Sequence, residues 1–463
     1  MKLRTIILVI GLSIVFGWGS GFTPATAQSA ITVGEPTTIN NFPDSLTFRI
    51  PASSSAGEIV SADLYYSFDG FISSPSHTRE QIEFEPASQV NLEFEWDTEG
   101  LTTPPGMPIS YYWRIRDSAG NQLITDSYLV RYEDIRYDWQ ILEDEYIGVW
   151  WHDKPASFGQ SVFNIAERAI EQQRALFDMT LDYQIRIIIY NSDAEFHAWH
   201  AVQLDWVGGE AFSDYGITTQ IVYGSQPGDA WLQGVVPHEI SHLYFAPVTR
   251  NPSVSVPHWL NEGVAQYNEF IDNSYALTTV QNAAARGEII HLSSLAEGFG
   301  SFDEARVRLA YAESLSAVNY LVETYGEEGL AAVLAAYREG HLTEEAFEVA
   351  LGLPFSEFEG NWAVWLGMPE GEYITPTPWA MPAFPATPTM FIPGAGGGSS
   401  QEEATPEPEV DVTETQEPDV EAADEGIEPE AEPGFTLCSS TLLPAFVVVG
   451  FAYQQMKRRN LGV

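Results

Sequence analysis

The sequence predicts a multidomain chain. An all-β sandwich over residues 30–134 is followed by an α+β domain over 137–368, an acidic linker over 370–434 and one apolar helix over 435–454. Three observations carry this. Short segments that alternate polar and apolar residues fill the first third of the chain, which is the period of a half-buried strand. From Tyr137 onward, apolar runs with strand character are interleaved with segments of helical period. After Glu370 the composition turns to Pro, Thr and acidic residues, and an apolar run closes the chain. A length of 463 residues suits two folded domains with tails.

Residues 1–27 read as a secretory signal. Lys2 and Arg4 precede the apolar run Thr5 to Phe16, and Ala25-Thr26-Ala27 is a small-residue cleavage site. In the first domain, Ser45 to Ile50, Val90 to Trp96 and Tyr111 to Arg116 alternate in period two. Asp117-Ser118-Ala119-Gly120-Asn121 is a turn, and Leu123 to Tyr132 is read as one returning strand. About seven strands in a hundred residues make a sandwich, and the pattern resembles an immunoglobulin-like or fibronectin type III-like module. A spacer that braces the following domain is the preferred role, ahead of a binding arm.

In the second domain, Ser157 to Leu176 has helical spacing, and Ile185 to Tyr190 is a buried strand. Ala194 to His200 begins a helix, and Ile217 to Tyr223 is a further strand. The strand Ile217–Tyr223 is expected to be the sheet edge that pairs with an extended substrate. Ala310–Tyr325, Gly329–Tyr337 and Phe355–Leu366 carry the apolar stripes of later helices.

The chemistry is concentrated in His238-Glu239-Ile240-Ser241-His242 and, twenty residues on, Glu262. Residues four apart share a helix face, so His238 and His242 present two imidazoles to one metal ion. Glu239 stands beside the first ligand, where a general base for a metal-activated water is needed. Two His and one carboxylate, Glu262, leave a fourth position open, as catalytic zinc requires. Val235, Val236, Ile240, Leu243 and Tyr244 make this a packed helix rather than a surface one.

The pair formed by this motif and Trp259-Leu260-Asn261-Glu262-Gly263-Val264-Ala265-Gln266-Tyr267 resembles the gluzincin metallopeptidases, in particular their peptidase MA-like branch. The resemblance spans residues 137–368. It implies a zincin fold, a Zn2+ cofactor held by His238, His242 and Glu262, and hydrolysis of a peptide or protein substrate with Glu239 as general base. It also implies an oxyanion donor in the helical region after the third ligand. Tyr311, in Ala310-Tyr311-Ala312-Glu313-Ser314, is the candidate, with Tyr244, Tyr267 and His258 behind it.

Two departures from the family stand out. Some gluzincins place Asp four residues after the third ligand to orient a histidine, and here that position is Gln266, which supplies no charge. Gly208-Gly209-Glu210-Ala211 matches poorly the glycine-rich element of aminopeptidases, so aminopeptidase specificity is not supported. His197 and His200 are spaced for a metal, but no nearby acid is evident, and they read as ordinary helix residues.

The chain carries 65 acidic and 20 basic residues, a net charge of −45, which excludes nucleic acid as a leading partner because phosphate would be repelled. Lysine occurs only at 2, 154 and 457, and Cys438 is the sole cysteine, so no internal disulfide forms. Residues 401–434 hold acids and no bases, and such a segment extends as a stalk. The run 435–454 is long enough to span a bilayer, with Lys457, Arg458 and Arg459 in a basic cytoplasmic tail, 455–463. Together with the signal, this predicts an exported protein anchored in the cell membrane by its C-terminal helix, with nearly all of the chain outside. A catalytically inactive adhesion or scaffold protein on the same fold is the competing expectation.

Overall fold

The computed structural model describes residues 29–72, 77–201, 207–223, 230–300 and 302–371, together with the backbone of Leu437–Ser440. The expected signal peptide, nearly all of the acidic linker, most of the 435–454 stretch and the basic tail lie outside the described residues. The chain divides into two compact units, Met1–Tyr137 and Asp138–Val463.

The described residues of the first unit form nine strands in two sheets. The four-stranded sheet holds β1 (Ile31–Val33), β2 (Thr37–Asn41), β3 (Ser45–Ser54) and β6 (Gln89–Asp97). The five-stranded sheet holds β4 (Ile59–Phe68), β5 (Thr78–Ile82), β7 (Met107–Asp117), β8 (Gln122–Ile124) and β9 (Tyr128–Tyr132). All pairings in both sheets are antiparallel. The alternation read in the sequence becomes buried faces: Leu46, Phe48 and Ile50 on β3 and Tyr111, Trp113 and Ile115 on β7 are all buried. Phe48 stands edge-on to Tyr111 at 4.8 Å between ring centroids.

The turn after β7 is held by buried Asp117, which accepts from the Ser54 hydroxyl and from the backbone N–H groups of Ala119 and Asn121. Leu123 to Tyr132 is not one strand. Thr125 Oγ1 accepts the Trp113 N–H, a side chain taking a ladder position, and the chain resumes pairing only at Tyr128.

The second unit opens with a mixed sheet in the order β10-β11-β12-β14-β13-β15. These are β10 (Gln140–Glu143), β11 (Ile147–Trp151), β12 (Ile185–Tyr190), β13 (Val207–Phe212), β14 (Ile217–Ile221) and β15 (Leu437–Ser440). The strands β11, β12 and β14 are parallel, and β13 returns antiparallel to β14. Every residue of β12 and β14 is buried, as parallel strands covered on both faces must be.

The expectation that Ile217–Tyr223 forms the sheet edge is therefore corrected. A 3₁₀ turn at Ser213–Tyr215 folds the chain so that β14 lies between β12 and β13. Outside β13 lies β15, whose Leu437–Ser440 falls within the stretch expected to span a membrane. It is extended and parallel to β13. Among the described residues no helix is long and apolar enough to cross a membrane.

Helix α1 (Ala156–Phe177) and helix α3 (Ala230–Thr249) pack on this sheet through Phe158, Val162, Ala166, Val235, Val236 and Ile240. Between them in sequence, α2 is short, Asp193–His197, so His200 lies beyond its end. A second core joins α4 (His258–Tyr267), α5 (Ser274–Arg286), α6 (Glu304–Glu339), α7 (Thr343–Leu351) and α8 (Phe355–Trp365). The two apolar stripes predicted at Ala310–Tyr325 and Gly329–Tyr337 are two helical segments, labelled together as α6 and separated by a non-helical break at Gly326, whose φ of 77° suits glycine. Helix α3 contributes to both cores and is buried on nearly all sides.

Candidate metal centre

The site begins with a proline. Pro237 sits inside α3, lacks an N–H and so releases the carbonyl of Gln233 four residues back. The freed oxygen accepts from Phe270 N at 2.9 Å. This draws the segment after α4 against α3, one residue from Glu269. A second tie is Asn268, whose Nδ2 donates to Ser241 Oγ of α3 at 3.1 Å and to Val264 O of α4 at 2.9 Å. Helix α4 meets α6 closely: a Cβ at Gly263 would collide with the Ser314 carbonyl, so only glycine lets the Glu262 turn pack there.

These contacts bring His238, His242 and Glu262 together. Among the described residues they are the one group of three such donors close enough to share a metal, with ligand atoms all within 4.8 Å of one another. His238 Nε2 stands 3.4 Å and His242 Nε2 3.8 Å from Glu262 Oε2. Two donors each 2.0–2.1 Å from a tetrahedral zinc stand about 3.4 Å apart, so the cluster has the size that zinc needs. Both Nε2 atoms are buried; His242 Nε2 makes no hydrogen bond, and His238 Nε2 faces only the Glu262 carboxylate at 3.4 Å. Buried polar nitrogens without a hydrogen bond are costly unless something binds there.

The second ring nitrogens are spoken for. His238 Nδ1 donates to Glu269 Oε1 at 2.8 Å, and His242 Nδ1 donates to Asn261 Oδ1 at 2.9 Å. Each bond leaves Nε2 as the nitrogen that faces the centre and the one that a metal would take. Burial pushes His242 down to about 4, with the neighbouring imidazoles His238 and His258 adding to the effect against Glu262, so it is neutral and ready to ligate. Burial would lower His238 too, but the Glu262 and Glu269 carboxylates outweigh it and hold His238 up at about 10. Burial opposes ionisation of Glu262, yet the surrounding imidazoles keep it well below the usual carboxylate range. A metal therefore replaces a proton on His238 and meets a neutral His242 and an ionised Glu262. Two imidazole nitrogens and one carboxylate oxygen are a donor set that zinc accepts.

Glu239 is fully buried, and the sheet presses on it. A Cβ at Gly209 of β13 would lie 2.5 Å from Glu239 Oε1 and 2.8 Å from Val235 Cγ2, so the strand runs directly over the carboxylate. The weak glycine-rich element of the sequence is thus a close-approach site.

Tyr311 is 3% exposed on α6, one turn from Ser314 and so near the Glu262 turn. Its ring is edge-on to Phe299 at 5.1 Å, and Phe299 is edge-on to His258 at 4.7 Å. His258 Nε2 lies 3.5 Å from Glu262 Oε1. The weaker candidates Tyr244 and Tyr267 are engaged elsewhere: Tyr244 stacks on Phe177 in the sheet-side core, and the Tyr267 hydroxyl donates to Glu327.

Two readings of the sequence are corrected here. The charged partner that Gln266 cannot supply comes from Glu269, seven residues after Glu262. Its signal was the i+7 spacing, two helical turns, carried past the end of α4. His200 does have an acid, Glu210 of β13, with Nε2 to Oε2 at 2.7 Å. Strand pairing brings that acid close from ten residues away, which local spacing did not show.

Residues 165–368 match a family profile described as Peptidase MA superfamily. No curated protein matches the chain. Solved structures similar to parts of it include a Niemann-Pick type C2 protein from the Japanese carpenter ant. That match has 7% identity over 23% of this chain and 95% of that one, with a TM-score of 0.16. A polysaccharide deacetylase from Bacillus cereus matches at 8% identity over 38% of this chain and 55% of that one, with a TM-score of 0.17. Scores this low carry no argument. The family match covers α3, α4 and α6, and with them His238, Glu239, His242 and Glu262. Over residues 165–368, within the second unit, the chain is therefore similar to the peptidase MA superfamily.

Proposed function

We propose that the chain is a zinc-dependent metallopeptidase that hydrolyses peptide bonds in peptides or proteins. The observation that carries this is the buried cluster of His238, His242 and Glu262 with both Nδ1 atoms already engaged and Glu239 beside it. Zinc, when bound, acidifies water and polarises a carbonyl. Glu239 takes the proton of the attacking water and returns it to the departing amine nitrogen. Its position under Gly209 keeps the carboxylate from swinging away. Tyr311 serves as the hydroxyl donor to the developing oxyanion. Strand β13 passes over Glu239 at Gly209, and its outer edge is paired with Leu437–Ser440.

The reading as an inactive scaffold drew on the sandwich domain, the stalk and, at the site, the uncharged Gln266. Glu269 supplies the missing charge, so that support is gone. Export and anchorage through residues 435–454 accompany the proposal, and the sandwich unit is read as a spacer. Zinc stoichiometry measured by elemental mass spectrometry tests the centre. About one zinc per chain, lost in His242→Ala, supports it; an equal metal content in both proteins refutes it.

A further inference from the structure

We propose that His258 is a positioning residue for the metal centre: its imidazole holds Glu262 Oε1, so that Glu262 offers the metal Oε2 alone. The inference rests on the reading of the site as a zinc centre. The two oxygens of Glu262 face different partners. Oε2 faces the two histidine nitrogens at 3.4 and 3.8 Å, while Oε1 faces His258 Nε2 at 3.5 Å. A carboxylate gripped on both sides cannot turn to give both oxygens to one ion.

His258 is suited to this by its place. It lies four residues before Glu262, on the same helix face. It is not itself one of the ligand group. Its backbone N–H donates to Ala296 O at 2.9 Å, and its ring is edge-on to Phe299 at 4.7 Å. Gly298, at φ +102°, lies alongside it: an added Cβ would be in ordinary van der Waals contact, 3.8 Å from the ring. The segment 296–299 thus cages the imidazole, and only 13% of the side chain is exposed. At 3.5 Å the contact is longer than a hydrogen bond, and bonds of this kind tighten when a site is loaded. An Nε2–H donated to Oε1 leaves Oε2 as the free donor and keeps the fourth metal position open for water and substrate.

The test uses the full chain and reads metal, not cleavage. Zinc affinity is measured by competition with a chromophoric chelator, and coordination by zinc K-edge X-ray absorption, for the wild type, His258→Gln and His258→Leu. Glutamine keeps an N–H donor and is expected to retain wild-type affinity and one short carboxylate oxygen. Leucine is expected to lose about 10- to 100-fold in affinity and to gain a second carboxylate oxygen at the metal. Wild-type affinity and coordination in His258→Leu would overturn the proposal. If that variant fails to fold by circular dichroism, His258→Phe keeps the packing on Phe299 without the nitrogen, and the same outcomes apply. No zinc binding by the wild type would sink the zinc reading itself, which is a distinguishable result.

Discussion

On the proposed function Glu239 is the general base, and Gly209 is the residue that lies against it. Any side chain at 209 must displace both the carboxylate and Val235. Gly209→Ala is therefore expected to lower kcat about 100-fold, since small misplacements near reacting groups cost that much, while zinc content stays at the wild-type level. Steady-state kinetics alongside metal analysis checks this, and an unchanged kcat would remove Gly209 from the account. Tyr311→Phe is expected to cost about 100- to 1,000-fold in kcat, the usual loss for an oxyanion donor, with the thermal melt unchanged. A variant with full activity would return Tyr311 to the core that surrounds it. At this scale the sequence was informative where spacing is local. His238, Glu239 and His242 lie within one and a half helical turns, and their geometry followed from helix periodicity alone. Glu269 and Glu210 reach their histidines through tertiary contacts, the first set by a carbonyl that Pro237 frees and the second by strand pairing.

Among the elements, α6 carries a buried acid, Glu313, whose protonation is coupled to folding. Glu313 is fully buried, and burial raises its pKa well above the ordinary value of 4.5, with Glu359 adding to the rise; the Ile290 N–H and Arg306 oppose it. Both acids clamp the same segment. Glu313 Oε1 accepts from Ile290 N at 3.0 Å, and Glu359 Oε1 accepts from Leu292 N at 2.6 Å. The folded chain keeps the Glu313 proton to higher pH than the unfolded chain does. Between about pH 4.5 and the raised value, the unfolded state binds fewer protons, so stability falls as pH rises, by up to about 1.4 kcal/mol per pH unit. Glu313→Gln keeps an acceptor for Ile290 N and removes the titration. Denaturant melts at several pH values are expected to show the wild type losing stability relative to the variant as pH climbs from 5 toward 7. Parallel profiles would contradict this. The long helices were legible from their apolar stripes. The order of strands was not, because β14 carries Thr218, Thr219 and Gln220 between its two isoleucines, a composition that suits an edge, yet all five residues are buried. Only the turn at Ser213–Tyr215 decides its neighbours.

At the scale of the whole molecule, the two-part architecture was legible because the two periodicities, two and 3.6, occupy separate stretches of the chain. The break falls between Tyr137 and Asp138. The C-terminal stretch is where composition and fold part ways. Hydropathy marks 435–454 as a span, whereas Leu437–Ser440 pairs with β13. One chain segment cannot do both at once. On the proposed anchorage, the full chain expressed in a bacterial host is expected to stay with membranes through an alkaline carbonate wash, and truncation after residue 434 is expected to release it. Equal release of both would contradict the anchor and favour the strand.

The central claim is that Glu239 works beside a zinc ion held by His238, His242 and Glu262. The most direct measurement is mass-spectrometric mapping of a diverse peptide library digested by the full chain, with Glu239→Gln run in parallel and zinc content measured for both. The account predicts cleavage by the wild type and a loss of at least about 100-fold in the variant, the lower end of what a general base contributes, at equal zinc. Undiminished cleavage by Glu239→Gln, or no cleavage by a wild type with zinc bound, would contradict it.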